Sequence, residues 1–431
     1  MSWLLRKRLR AFLKTSLWIV PVLAMVAAMI CAPLTRYLND VLRLPFAEFG
    51  LQGARASVGL IAAAMLTFVV FFFSVLLLTV QIASGNLSPR IIVRPFQSSI
   101  LKVSLGLFVF TFVYGTAVLG RLEQQVLQLP VFLTLVLAVL SIGVFLFVVE
   151  RIGKELRPVT VVTRVARDGA AVIHSTYPRR WTSASTPRLS PPTPFEQNAC
   201  RTINHRGGPG VIVAFDVRGL AQLAERNVCV IELIPQVGDF VATGGPLFRI
   251  YGANNIADAE LQHSIAMAAE RTLEQDPAFA FRVIVDIADK ALSPAINDPT
   301  TGVLAIDQIQ FLLQEVGKRD LTAGTVSDVN GNVRLVYRIP DWEDFVLLGV
   351  AEIRHYGAGS MQIMRRLRAM LEDLIKFLPA DRAPLLQEQL ELLHATVKRE
   401  FDDPRDREQA EIPDSQGLGG RLVQLSSFDR R

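Results

Sequence analysis

The hydrophobic pattern of this chain changes character once, near residue 150. Before that point four long stretches carry no charged side chain: between Lys14 and Arg36, Arg55 and Arg90, Lys102 and Arg121, and Glu123 and Glu150. A helix needs about 20 mainly apolar residues to cross the hydrocarbon core of a bilayer. The pattern therefore predicts four transmembrane helices: the run Thr15–Thr35, then within Val58–Ile82, Val103–Gly120 and Val131–Val149. The first run follows the cluster Arg6-Lys7-Arg8-Leu9-Arg10, as the apolar part of a signal peptide would. Its length, and Ile30 where cleavage before Cys31 would need a small residue, favour a retained span. Ser104, Gly106, Tyr114, Gly115, Thr116 and Gly120 dot the third span, and such residues usually serve close helix packing. No Asp, Glu, Lys, Arg or His lies deep in a span, which counts against ion-coupled transport. A hydrophobically gated pore in an oligomer is still allowed.

Beyond residue 150 the periods shorten. A mixed stretch leads to the Ser/Thr/Pro-rich connector Thr182–Pro194. Short β-type runs follow at Val211–Phe215, Cys229–Ile234 and Leu247–Tyr251, with an amphipathic helix at Val217–Arg226. The segment Pro235–Ile250 is similar to the hairpin of biotinyl- and lipoyl-type barrels, without their modified lysine. From about Ala257 the pattern is mainly helical. Asp276-Pro277 and Asp298-Pro299 each pair an N-cap aspartate with proline at the first helical position. Asn330-Gly331 signals a type I′ hairpin between strands near Gly324–Ser327 and Val333–Ile339. Asp341 with Asp344 caps a helix reaching Tyr356, Ser360 caps Met361–Phe377, and Asp381–Phe401 forms a last amphipathic helix. The expected fold is an α-helical integral membrane domain of four transmembrane helices followed by a cytoplasmic α+β domain. Its parts are the membrane domain at 1–150, a connector at 151–200 and a small β-rich module at 201–255. A mainly helical region with one hairpin occupies 256–401, and a disordered tail 402–431.

Charge sets the orientation. Residues 1–150 carry 12 Lys/Arg and 4 Asp/Glu, a balance of +8, and residues 151–431 carry 33 and 36, a balance of −3. The pI near 9.2 thus belongs to the membrane half, which argues against nucleic acid as a partner. With the N-terminus inside, eleven basic residues fall on the cytoplasmic side and four (Arg36, Arg43, Arg55 and Arg121) outside. Both termini are expected in the cytoplasm of a bacterial inner-membrane protein.

Candidate chemistry is sparse. The three cysteines form no CxxC pair, and His174, His205, His263, His355 and His394 show no metal-ligand spacing. Phosphate-loop, dinucleotide, nucleophile-elbow and kinase motifs are absent, so no cofactor is expected. The densest polar cluster is Ser293–Thr301. A helix N-terminus there offers free N–H groups to an anion, with Ser293 and Asn297 beside it, yet Asp298 would already occupy that position as the cap. A second cluster, Arg354–Ser360 with Arg365 and Arg366, could clamp a carboxylate or phosphate or simply pair with acids such as Asp286, Asp298 or Asp307. Asp286, Asp289, Asp298 and Asp307 also offer carboxylates for a divalent cation, with no spacing that enforces one. The candidate ligand-binding set is Ser293, Asn297, Asp298, Arg354 and Arg365.

Several strings are familiar. "ALSPAINDPTTGVLAIDQI" (Ala291–Ile309), "IRHYGAGSMQIMRRLRAML" (Ile353–Leu371) and "QVGDFVATGGPL" (Gln236–Leu247) resemble the bacterial membrane proteins grouped as domain of unknown function 2254. "LSPRII" (Leu87–Ile92) and "FTFVYGTAVL" (Phe110–Leu119) fit as well. The resemblance runs from the second span to about Phe401 and departs at His355, where the family more often has glutamine. It implies a membrane protein with a cytoplasmic C-terminal domain and brings no activity or catalytic residue. The expectation is a lipid-embedded homo-oligomer whose cytoplasmic part binds an anionic ligand or protein partner, as sensor, scaffold or channel-like subunit. The alternative is an enzyme acting on a lipid or lipid-linked substrate, with Asp298 or His355 as acid/base and Arg354 holding an anion.

Overall fold

The computed structural model describes residues 12–13, 16–42, 49–86, 98–122, 127–155, 157–182, 200–252, 256–321 and 324–419. The connector from residue 183 onward, the string at 87–92, the basic cluster at 6–10 and residues 420–431 lie outside these. The chain divides into two compact units, one over Arg8–Thr160 and one built mainly from Val161–Arg431.

Among its described residues the first unit holds four helices long and apolar enough to cross a membrane: α1 (Ile19–Leu42), α2 (Leu51–Asn86), α3 (Ser99–Leu119) and α4 (Gln128–Glu155). Helix α3 packs against the other three and is the most buried of them. Its small residues are spent on that packing. Gly106 lies against Val20 and Ala24, and Gly115 against Ala62 and Thr134. Polar groups link helices in pairs, as expected where no water competes. Tyr114 Oη lies 2.9 Å from Thr35 Oγ1, and Thr111 Oγ1 lies 3.2 Å from Ser141 Oγ. Phe68, Phe72, Phe108 and Phe145 form an aromatic cluster, with Phe68 and Phe145 stacked at 4.8 Å. Leu23, Met29, Leu60, Leu77, Val139 and Leu146 point outward, an apolar surface that water would penalise and lipid would not.

Where the sequence shows only a mixed stretch, the second unit opens with helix α5 (Pro158–Thr176). Its buried positions Val162, Val165, Ala166, Gly169, Ala170 and Ile173 follow helical spacing. Gly169 lets α5 approach α8 (Pro277–Leu292) so closely that a Cβ there would collide with that of Ala280 and touch Leu312 on α9 (Pro299–Gly317). Alanine normally favours a helix over glycine by about 1 kcal/mol. Here Gly169→Ala is expected instead to destabilise this unit by about 1–3 kcal/mol, read as a lower melting temperature of the purified protein; an unchanged or higher one would contradict the packing. The helical layer continues with α10 (Trp342–Tyr356), α11 (Met361–Phe377) and α12 (Ala383–Glu400). Asp276, Asp298 and Asp341 cap their helices as expected, accepting from the backbone N–H of Phe279, Thr301 and Asp344. Ser360 stands at its N-cap position without a side-chain bond.

Among the described residues eight strands form two sheets: a five-stranded one in the order β1 (Cys200–Asn204), β5 (Pro246–Gly252), β3 (Cys229–Leu233), β8 (Val333–Tyr337), β7 (Thr325–Ser327), and a three-stranded one in the order β4 (Phe240–Val241), β2 (Gly210–Phe215), β6 (Ile265–Ala268). Short helices α6 (Val217–Arg226) and α7 (Asp258–Gln262) complete the layer, around a core that includes Ile212, Phe215, Leu220, Ile231, Phe248 and Leu335.

Four expectations are corrected. The segment Pro235–Ile250 is not a hairpin, because β4 joins β2 while β5 joins β1 and β3 in the other sheet. The Asn330-Gly331 connection is not type I′, since only Gly331 has positive φ while the Asp328 carboxylate accepts from the N–H groups of Asn330 and Asn332. Its hairpin also belongs to the sheet rather than the helical region, with β8 parallel to β3. Finally, the polar tail is ordered as far as residue 419. Helix α13 (Pro404–Ala410) is capped by Asp403, and the buried Asp414 accepts from the N–H groups of Gln416, Gly417 and Gly419.

Candidate functional site

The predicted turn is built by its own backbone. Asn297 adopts φ +48°, a left-handed conformation that asparagine tolerates. The N–H groups of Ile296 and Asn297 return to the Ser293 carbonyl, and Asp298 N–H reaches the Ala291 carbonyl at 2.7 Å. Ser293 Oγ donates to Lys290 O at 2.7 Å. Both carboxylate oxygens of Asp298 serve Thr301, one accepting from its N–H at 3.1 Å and the other from its hydroxyl at 2.5 Å. The Asn297 side chain is exposed.

Arg354 and Arg365 do not meet at one anion. Arg354 Nη1 donates to Thr396 Oγ1 on α12 at 3.0 Å, its Nε is buried without a partner, and burial, then the charge of Arg399, lowers its pKa. Arg365 is buried and donates from Nε to Ile412 O and from Nη1 to Gly419 O, tying the terminal segment to α11. Arg366 takes the acid pairing instead, reaching Asp307 at 2.8 Å. His355 is exposed, its ring edge-on to Tyr356.

Asp286 and Asp289 belong to an ion network on α8 and α10. Arg282 reaches Asp286 at 2.6 Å, Asp289 at 3.2 Å and both oxygens of Glu352 at 2.6 and 2.8 Å. Burial first, and then the hydrogen bond to Glu352, push the Asp289 carboxyl up, whereas the Arg282 bond holds Glu352 down. Among the described residues no group of three His, Cys, Asp or Glu side chains is placed to hold a metal.

The second unit does contain a large cleft, and none of Ser293, Asn297, Asp298, Arg354 and Arg365 lines it. About 1130 Å³ in volume, it opens between the end of α5, the ends of β2 and β8, the Gln236-Val237 turn and the approach to α8. Its lining includes Arg179, Arg180, Arg218 and Arg338, all exposed. Phe215 and Tyr337 pack edge-on at 5.0 Å and provide an aromatic wall. Beneath them the buried Tyr177 donates its hydroxyl to Pro340 O at 3.0 Å.

Asp276 also lines the cleft. One oxygen caps α8 through Phe279 N–H at 3.1 Å, while Oδ2 is buried without a hydrogen bond and lies 4.0 Å from Arg271 Nε. Burial pushes its carboxyl up to about 6 despite the opposing charge of Arg271. Sequence reading identified Asp276 as a cap and missed its burial. The four arginines come from three separated segments, so no local spacing announces them.

Four membrane-length apolar helices followed by a unit of helices and sheet define a predicted membrane protein. The family described as "Predicted membrane protein (DUF2254)" matches residues 14–373, and the chain belongs to it. It is similar to uncharacterized proteins of Mycobacterium tuberculosis and Mycobacterium bovis, each 27% identical over 369 residues that cover 82% of this chain and 70% of theirs. No solved structure matches.

Proposed function

We propose that this is a multi-pass bacterial inner-membrane protein whose second unit lies in the cytoplasm, binds a ligand or partner there, and passes its state to the spans. It would act as a sensor, scaffold or channel-like subunit within a homo-oligomer. The observation that supports coupling is the junction at residues 156–157: α4 runs to Glu155 and α5 starts at Pro158. Helix α5 is itself packed into the second unit through Gly169, so a rearrangement of that unit has a covalent route to the last span. Arg151, Lys154 and Arg157 at the junction favour its cytoplasmic placement. A binding role is favoured over acid/base catalysis because Asp298 is occupied as a cap and neither His355 nor Arg354 lines the cleft.

Topology is the test. Val329 is 96% exposed, so Val329→Cys, with native cysteines replaced by alanine, reports which side the second unit occupies. A membrane-impermeant maleimide is expected to leave it unlabelled in intact spheroplasts and to label it after lysis. Labelling before lysis would place the unit outside and overturn the reading.

A further inference from the structure

Arginines in the second unit generally find acceptors within the fold. Arg282 and Arg366 pair with carboxylates, Arg334 with Asp328, and Arg365 with backbone carbonyls. The four around the cleft do not. Among the described residues none of the guanidinium groups of Arg179, Arg180, Arg218 and Arg338 makes a hydrogen bond or ion pair, although Glu274 and Asp320 line the same cleft. Those two acids are engaged in interactions of their own, and the third acid of the lining, Asp276, stands beside Arg271 and caps α8 through Phe279 N–H. Four like charges held around one concavity repel one another, and an anion bound between them would relieve that repulsion.

The remaining lining narrows the anion. The guanidinium fork matches phosphate oxygens in pairs, which makes arginine the preferred residue for phosphate recognition. The Tyr337 hydroxyl and the side-chain amide of Gln236, neither with a hydrogen-bond partner among the described residues, add uncharged polar groups. The aromatic wall offers an apolar surface beside the charges. A volume of about 1130 Å³ is larger than an inorganic ion needs and within reach of a nucleotide-sized molecule. Overall charge does not explain the cluster, because residues 151–431 carry a net −3. We propose that the cleft between α5, β2, β8 and α8 is a binding site for a phosphate-bearing organic anion, held by Arg179, Arg180, Arg218 and Arg338. This goes beyond the topology argued above and holds whichever face of the membrane the unit occupies.

The test uses the full chain in phosphatidylcholine nanodiscs, titrated calorimetrically with ATP, pyrophosphate and succinate. Lipid headgroups are presented separately in phosphatidylglycerol nanodiscs, and protection of residues 174–182 and 337–340 is read by hydrogen exchange. Binding of ATP or pyrophosphate would identify a soluble source of the phosphate, and protection only in phosphatidylglycerol a headgroup source. In either case Arg218→Gln with Arg338→Gln is expected to lower affinity by about tenfold or more. Arg167→Gln with Arg405→Gln, which removes the same charge outside the cleft, is expected to leave it unchanged. The proposal is overturned if no phosphate probe binds, if succinate binds as well as the phosphates, or if both double variants lose affinity equally. Melting curves of both variants establish that they are folded.

Discussion

Replacing Arg282 with methionine is expected to destabilise the second unit by about 3 kcal/mol at neutral pH, near the lower bound for a broken buried ion pair. The reason is the number of carboxylates this guanidinium serves. Asp286 and Asp289 stand four and seven residues along α8, on the face that meets α10, and Glu352 comes from α10 to complete the set. Removing the cation leaves three acids together, of which Asp289 is the most enclosed. Glu352 is half-exposed, so solvent absorbs part of its loss and the lower bound applies. Without the cation these carboxyls protonate more readily, so the deficit should narrow as pH falls from about 7, where Asp289 titrates in the natural protein, towards about 2, where Glu352 does. Melting of the purified full chain across pH would check both points. A deficit of the same size at every pH would mean that only packing was lost.

Asp276→Asn is expected to act in the opposite direction. The folded carboxyl titrates near 6 rather than at 3.8, so the folded state holds its proton more tightly than the unfolded chain does. This group's stabilising contribution is therefore complete below pH 3.8 and is lost as pH rises through about 6. The interval corresponds to about 3 kcal/mol. Asparagine keeps an oxygen to accept from Phe279 N–H and never ionises. The variant should match the natural protein near pH 4 and melt higher above pH 6, with the difference opening between those values. A destabilised variant at pH 8 would show that the charged form is needed in the fold, most directly by Arg271 beside it.

These two positions show which features the sequence carried openly. Asp276-Pro277 and Asp298-Pro299 were readable as caps because a cap is local: an acceptor, a proline and a following apolar period. The four apolar helices were equally visible, since charge-free length is a property of a single segment. Helix α5 left a fainter trace. Its valines and threonines suit strands as well as helices, although the spacing of Val162, Val165, Ala166 and Gly169 was helical all along. Nothing local reveals that β8 lies parallel to β3, or that Arg179, Arg218 and Arg338 share a cleft, because those meetings depend on chain segments brought together by the whole fold. The Ser293–Thr301 turn shows the reverse hazard. Its dense polar residues resembled a site, and the structure uses Ser293 and Asp298 to close the turn and cap α9.

The parallel ladder between β3 and β8 also has a temporal meaning. In the order β1, β5, β3, β8, β7 the strand Cys229–Leu233 sits at the middle, and one of its two neighbours is supplied only by Val333–Tyr337. During synthesis that edge stays open while α8 and α9 emerge from the ribosome. The nascent sheet must wait, with bare backbone donors and acceptors, for a partner encoded far downstream. Cutting the gene between β5 and β8 would make the delay permanent, leaving on β3 a sticky border that β8 covers in the finished sheet.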